Sequence, residues 1–295
     1  MEVKKIMVVG AGFMGSGIAQ VAAEAGYDVL LYDISDEAIE RGIGNVSKNL
    51  AKQVDKGKMT AEARDAALGR IVKSTSLEDA KDVDYVIEAV FENFELKKEI
   101  FQKLDEICKP ETILGTNTSS IPITKIAATV KRPDKFIGIH FFSPVPVMQL
   151  VEIICALKTS PETVAVTEEI CKQMKKTTVR VKDVPGFLVN RINNALRNEA
   201  YNCMVEGVAS IEDIDTALKL ALRHPMGPFE LADFVGLDVG LGVANSLYEG
   251  YKDPKWRPNM VLQQLVQSGD LGRKTGKGWY DYTSGEKKPR TDIEW

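Results

Sequence analysis

The stretch Lys4-Lys5-Ile6-Met7-Val8-Val9-Gly10-Ala11-Gly12-Phe13-Met14-Gly15-Ser16-Gly17-Ile18-Ala19-Gln20 decides the fold. It opens as an apolar strand, breaks into a G-x-G-x-x-G turn and continues as a helix. Gly10 permits the tight turn, Gly12 lets backbone approach a pyrophosphate, and Gly15 lets helix and strand pack closely. Phe13 and Met14 lie inside the same turn and belong with it as cofactor-contacting positions. The first N–H groups of a helix lack intrahelical partners, and the macrodipole there favours negative charge, so phosphates fit this point. Ile18, Val21, Ala22 and Ala25 recur at i, i+3, i+4 and i+7, which gives the helix a core face. A second apolar run, Val29-Leu30-Leu31-Tyr32, ends on Asp33, about where an acid accepts from the adenosine ribose hydroxyls. A carboxylate there would face the charge of a 2′-phosphate, so the cofactor reads as NAD rather than NADP. The bland alternative is a glycine loop in an ordinary βαβ unit, with Asp33 capping the next helix.

Outward from this unit, strands and helices keep alternating. Asp36 to about Gly57 reads as a helix, and Thr60 as the N-cap of a shorter one. Val83 to Val90 is a nearly continuous apolar run, as expected of a buried parallel strand. Leu96 to Ile107 has Ile100, Phe101, Leu104 and Ile107 on one helical face. Further strands are expected at Ile113-Leu114, Phe136 to Phe141, Leu150 to Ile154 and Thr178 to Val181, with a helix from Glu162 to Lys176. Repeated βα units imply a Rossmann-type α/β fold, a doubly wound and mostly parallel sheet with right-handed crossovers. The pattern changes at Lys182-Asp183-Val184-Pro185-Gly186, beyond which helical spacing prevails. Asp183 with Pro185 reads as a helix start, the helix running to about Gly207. The expected organisation is an NAD-binding domain over residues 1–183 and an all-helical substrate and dimerisation domain over 184–295. The polar end, Thr283 to Trp295, is expected to be weakly ordered.

A chain of 295 residues is long enough for two domains with ample cores. Its net charge of −4 gives no reason to expect nucleic acid or an anionic membrane as partner. There is no cationic segment followed by an apolar leader, and no uninterrupted apolar stretch of bilayer-spanning length. Cys108, Cys155, Cys171 and Cys203 form no C-x-x-C pair, and with two histidines in the chain no metal site is expected. Buried free thiols and a cytoplasmic location follow as expectations.

His140 closes the buried-looking strand Gly138-Ile139-His140-Phe141-Phe142-Ser143-Pro144. A histidine in that place is commonly a hydrogen-bonded core residue, although its pKa suits proton transfer near neutrality. Glu152 shifts the balance. A carboxylate inside the apolar strand Leu150-Val151-Glu152-Ile153-Ile154 is costly unless paired, and the intervening chain can turn at Ser143-Pro144-Val145-Pro146 to bring it back beside His140. Such a pair would fix the imidazole tautomer and stabilise the imidazolium; a structural ion pair is the alternative. Asn117-Thr118-Ser119-Ser120 follows a strand directly, at the end where ligands bind in open α/β sheets, although such clusters also cap helices. Asn190, Asn193, Asn194 and Arg197 share one helical face, which is either functional or a solvated stripe.

Together these blocks resemble the short-chain 3-hydroxyacyl-CoA dehydrogenases, most closely the bacterial 3-hydroxybutyryl-CoA dehydrogenases. The resemblance runs from about residue 3 to 282. It rests on the glycine turn, Glu88-Ala89-Val90-Phe91-Glu92-Asn93, Asn117 to Ser120, His140 to Pro144, Pro185-Gly186-Phe187-Leu188-Val189-Asn190-Arg191, Pro225-Met226-Gly227-Pro228 and Gly272-Arg273-Lys274-Thr275-Gly276-Lys277-Gly278. By resemblance, His140 is the general acid/base and Glu152 its partner, Ser119 and Asn190 contact substrate, and Asp33, Glu92, Lys97, Ser119, Ser143 and Lys274 contact NAD. Ser143 stands where the family usually has asparagine. Lys48, Lys52, Lys56 and Lys58 suit CoA phosphates, with Lys52 and Lys56 as the candidate substrate contacts. The implied reaction interconverts 3-hydroxybutyryl-CoA and acetoacetyl-CoA in a homodimer. A sugar-acid dehydrogenase and a non-catalytic dinucleotide-binding protein are the competing readings.

Overall fold

The computed structural model describes residues 2–293, which divide into two compact units, one ending at Val184 and the other beginning at Pro185. In the first, eight strands form one sheet: β1 (Lys5–Val9), β2 (Asp28–Tyr32), β3 (Ile71–Ser74), β4 (Tyr85–Glu88), β5 (Ile113–Thr116), β6 (Phe136–Phe141), β7 (Leu150–Cys155) and β8 (Thr177–Lys182). Their spatial order is β3-β2-β1-β4-β5-β6-β7-β8. Every pairing is parallel except β6 with β7. The order reverses between β1 and β4, and ligands of doubly wound sheets bind at that switch point. Apolar side chains from β1, β2, β4, β6 and β7 make the core, among them Ile6, Val8, Leu31, Ile87, Ile139 and Ile153.

The connecting helices start where the sequence supplies caps. In α1 (Phe13–Glu24) the start is the glycine turn itself, with Gly12 at the N-cap. Ser35 accepts from the Ala38 N–H to open α2 (Asp36–Asp55), and Thr60 from the Ala63 N–H to open α3 (Ala61–Gly69). Asn93 caps α4 (Phe94–Ile107). Each such cap stabilises its helix by typically ~1 kcal/mol. The short α5 (Ile123–Ala127) has no local cap. Asp183 serves it instead, accepting from the Ile123 and Thr124 N–H groups at 2.9 and 2.7 Å. Asp183 therefore does not begin the helix that follows it, as the local rule suggests. After α6 (Pro161–Gln173), the next helix is α7 (Val189–Val205), three residues past Gly186.

The second unit continues with α8 (Ile211–Ala221), α9 (Pro228–Val235), α10 (Leu237–Tyr251) and α11 (Met260–Gln267). Tyr201, Phe229 and Trp279 pack ring on ring at its centre, with centroids 4.6 to 5.3 Å apart. Asp215 accepts from the Phe229 and Glu230 N–H groups and so caps α9 from a different helix. A two-stranded ribbon, β9 (Tyr280–Asp281) with β10 (Lys288–Pro289), closes the unit. The stretch 283–293 is thus more firmly held than its polar composition suggests. Arg290 is buried and donates to the Gly278 carbonyl, Asp270 and Asp292, so its charge is compensated. Residues 294 and 295, also expected to be weakly ordered, lie outside the described residues. Among those described, no helix is long and apolar enough to cross a membrane.

Candidate active site

The carboxyl ends of β1 and β4 face each other through backbone. Gly10 has φ +106°, and a Cβ there would lie 2.7 Å from the Ala89 carbonyl oxygen. A Cβ on Gly15 would lie 1.7 Å from the Gly10 oxygen, so helix and strand meet with no room for a side chain. Gly12 is the opposite case: nothing stands within 4 Å of its missing Cβ. Two glycines are closed in and the third opens onto space, the arrangement a pyrophosphate needs. Phe13 and Met14 lie beside that space, Phe13 largely exposed. Asp33, half-buried at the end of β2, accepts from the Ala11 N–H at 2.9 Å and from the Ser35 N–H at 3.3 Å. Ser35, not Asp33, caps α2. A carboxylate has about four acceptor sites, so Asp33 keeps capacity for ribose hydroxyls while tied to the turn. These residues fit a dinucleotide.

A chain of paired charges lies beside the turn. Glu88, the last residue of β4, is fully buried. It accepts from Lys97 Nζ at 2.6 Å, the Val90 N–H at 2.8 Å and the Thr116 hydroxyl at 2.6 Å. Lys97, on α4 and only 1% exposed, also reaches Glu92 at 3.4 Å. One oxygen of Glu92 collects the Thr118 hydroxyl, the Ser119 and Ser120 N–H groups, and both serine hydroxyls at 2.6 to 3.3 Å. Burial pushes the Glu92 carboxyl up, but the Lys97 charge and these hydrogen bonds more than offset it, leaving the group below its ordinary range. Lys97 therefore reaches Glu92 from within the fold, and the Ser119 hydroxyl rests on Glu92.

Two strands on from β4, His140 of β6 faces Glu152 across the antiparallel β6–β7 pair. His140 Nδ1 lies 2.8 Å from a Glu152 oxygen, with His140 6% exposed and Glu152 fully buried. The structure thus brings together the two residues that the apolar strand pattern marked. Asn117 ties this end to the glutamate network: its side-chain oxygen accepts from the Phe141 N–H at 2.8 Å, next to His140. Ser143 is exposed just beyond β6.

Lys52 and Lys48, with Gln20, Asn45, Asn49, Pro144 and Pro146 among others, line a cavity of about 310 Å³ alongside α1 and α2. Lys56 is exposed at the end of α2 and is not part of that lining. Two expected site residues belong to the second unit. Asn190 is half-buried in the first turn of α7, and Lys274 pairs with Asp238 at 2.6 Å. Burial pushes the thiols of Cys108 and Cys171 up to about 11 and 12, which excludes both as thiolate nucleophiles. No group of three potential metal ligands occurs among the described residues.

Glu88, Thr116 and Asn117 emerge here as residues that hold the site in shape. Glu88 carried a readable signal, a carboxylate in the apolar run Val83 to Val90, the same kind that marks Glu152. Nothing in the sequence marks Thr116.

A dinucleotide turn, a ribose-side acid and a buried histidine–carboxylate pair at one end of a doubly wound sheet describe a nicotinamide-dependent dehydrogenase. The NAD-binding-domain model of the 3-hydroxyacyl-CoA dehydrogenases matches residues 5–184, and their C-terminal-domain model matches residues 186–282. The chain belongs to the 3-hydroxyacyl-CoA dehydrogenase family, and NAD is its cofactor. It is 50% identical to a probable 3-hydroxybutyryl-CoA dehydrogenase of Bacillus subtilis, over 96% of this chain and 98% of that one. A 3-hydroxybutyryl-CoA dehydrogenase of Bradyrhizobium diazoefficiens is 47% identical, over 97% and 98%. The crystal structure of the (S)-3-hydroxybutyryl-CoA dehydrogenase of Ralstonia eutropha superposes with a TM-score of 0.93 at 48% identity, covering 96% of this chain and all of that one.

Proposed function

We propose that this chain interconverts (S)-3-hydroxybutyryl-CoA and acetoacetyl-CoA. The observation that carries this reading is the buried His140–Glu152 pair, 2.8 Å apart at the carboxyl end of β6. NAD, when bound, supplies the acceptor for the hydride that leaves C3 of the substrate. His140 takes the proton of the 3-hydroxyl at Nε2 and, in the reductive direction, returns it to the same oxygen. Glu152 on Nδ1 fixes the tautomer and stabilises the imidazolium. Ser119 and Asn190 donate to the 3-oxygen as its charge develops. Gly10, Gly12 and Gly15 with Phe13 and Met14 hold the pyrophosphate, and Asp33 holds the ribose. Glu92, Ser119, Ser143 and Lys274 complete the cofactor contacts, Lys97 acting through Glu92.

Lys52, with Lys48 in the cavity along α2, receives a CoA phosphate, and Lys56 adds charge one turn further on. The protein works as a homodimer: Ile192, Val205, Val208 and Leu220 expose apolar surface on the second unit, which a second copy would cover. Four free cysteines and bacterial relatives support a reducing cytoplasm.

The test follows nicotinamide absorbance with acetoacetyl-CoA, with a 3-keto sugar acid, and with neither. Oxidation of NADH by acetoacetyl-CoA alone is expected, and its absence overturns the reading. His140→Ala should lower turnover by roughly 10²–10⁴-fold, the usual worth of a general acid/base, with NAD affinity unchanged in a direct titration. Lost NAD affinity would contradict the assigned role.

A further inference from the structure

The chain that joins β6 to β7 carries Ser143, and its Pro144 and Pro146 wall the cavity that Lys48 and Lys52 also line. The Val147 and Met148 N–H groups both donate to the Pro144 carbonyl, at 2.9 and 3.0 Å, which closes a turn over residues 144–148. The carbonyls of Val145 and Met148 then need donors from elsewhere in the fold.

Lys176 supplies them. Its Nζ donates to the Val145 carbonyl and, at 2.8 Å, to the Met148 carbonyl. The lysine stands between α6 and β8, and its own N–H donates to the Cys171 carbonyl at 2.9 Å. It is half-buried, and burial pulls its ammonium below the ordinary lysine range, against the attraction of Glu24. A long cationic side chain ordinarily keeps its head in water. Here the head is partly withdrawn and held on two carbonyls, where a charged donor bonds more strongly than a neutral one. The turn's other contact is with α1. Val145 is 2% exposed, and a Cβ on Gly17 would lie 3.0 Å from the Val145 Cβ and 3.5 Å from the Pro146 Cδ. The turn is thus gripped by a glycine of α1 and by the Lys176 ammonium.

We propose that Lys176 is a positioning residue for the nucleotide end of the thioester: by holding Val145 and Met148 it sets Pro144 and Pro146 as the wall against which CoA lies. This rests on the reading of the Lys48–Lys52 cavity as the CoA subsite. Lys176 is not part of that cavity's lining, so it acts through the turn alone. His140 is held separately, by Glu152 across the strand pair, and proton transfer does not depend on the lysine.

The test compares acetoacetyl-CoA with acetoacetyl-pantetheine, which lacks the nucleotide, at saturating NADH. The wild type is expected to have the lower KM for the CoA thioester. Lys176→Met should raise the KM for acetoacetyl-CoA by roughly tenfold, the scale on which a displaced binding wall is felt. The KM for acetoacetyl-pantetheine, and kcat with saturating acetoacetyl-CoA, should stay near those of the wild type. Lys176→Arg, which keeps a charged donor, should recover much of the loss. Gly17→Ala crowds Val145 from the α1 side and should shift the same KM in the same direction, so the turn is tested even if Lys176→Met does not fold. Equal losses on the two thioesters, or a kcat that falls at unchanged KM, would mean a structural role alone and overturn the proposal. A wild type that handles both thioesters alike removes the CoA reading of the cavity and the positioning role with it, while turnover of both leaves the dehydrogenase reading intact.

Discussion

The two units bury carboxylates in opposite ways. In the first, Glu88 and Glu152 meet a lysine and a histidine, at 2.6 and 2.8 Å. In the second, Asp215 and Asp233 meet N–H groups and tyrosine hydroxyls, and no cation lies within ion-pair distance of either among the described residues. The first arrangement sets each carboxylate directly against a lysine or histidine side chain. The second uses a carboxylate as a staple between distant backbone segments, and burial then pushes both groups toward their neutral forms. Buried acid by itself is therefore no sign of a reactive site, whereas acid paired with a titratable or cationic partner at the carboxyl end of a strand is.

The sharpest way to break this contrast is Glu88→Gln. Removing one partner of a buried pair costs about 3–5 kcal/mol, because the remaining charge is left uncompensated. Lys97 would keep Glu92 at 3.4 Å, so the loss is expected near the lower end of that range, read as a lowered urea midpoint. Adding Lys97→Met should restore much of the stability. The single variant should also weaken NAD, since Glu92 and the Ser119 loop depend on Lys97 for their position. Unchanged stability in Glu88→Gln would mean that Glu88 resembles the second unit's carboxylates after all.

The second unit supplies a converse test. Burial and repulsion from Asp215 raise the Asp233 carboxyl to about 6 from 3.8, against the pull of the Trp279 and Tyr280 N–H groups and the Tyr282 hydroxyl. A folded-state pKa above the unfolded one means the neutral form is the one that folding favours. The stabilisation is complete below the unfolded pKa and is lost as pH rises through the folded one. At about 1.4 kcal/mol per pKa unit the change is about 3 kcal/mol. The unfolding free energy of wild type, referred to Asp233→Asn at each pH, should therefore fall by about that amount between pH 3.8 and about 6. A difference that rises over that window would contradict the raised Asp233 carboxyl.

What could be read from the sequence divides along a similar line. The glycine turn, the strand–helix alternation and the Thr60 cap are local patterns, and the structure forms them. His140 with Glu152 was legible because a carboxylate in an apolar strand demands a partner. Glu88 made the same demand, yet its partner is one of two adjacent lysines, Lys97 and Lys98, and only the packing of α4 decides which is buried. Asp183 answers a helix start sixty residues back in the chain, and Arg290 reaches back to the Gly278 carbonyl and to Asp270. Capping and composition rules look only a few residues ahead, so such long-range pairings escape them.

Asp33 sits between the two kinds of carboxylate and gives the smallest expected effect. It is bonded to backbone N–H groups, as Asp215 and Asp233 are, yet it is half-buried, at the open edge of the turn. If it serves only as a staple for the Ala11 N–H, Asp33→Ala should cost stability and leave the choice between NAD and NADP unaltered. If it also accepts from the ribose, the loss of a hydrogen bond to a charged group, about 1.5–3 kcal/mol, should appear in NAD affinity as a roughly 10–100-fold weakening. NADP should then bind better relative to NAD, because the negative charge facing its 2′-phosphate is gone. Direct titration of both reduced cofactors against wild type and variant separates the outcomes. A wild type that already prefers NADP would contradict the reading of Asp33, and an unshifted ratio in the variant would leave it a staple alone.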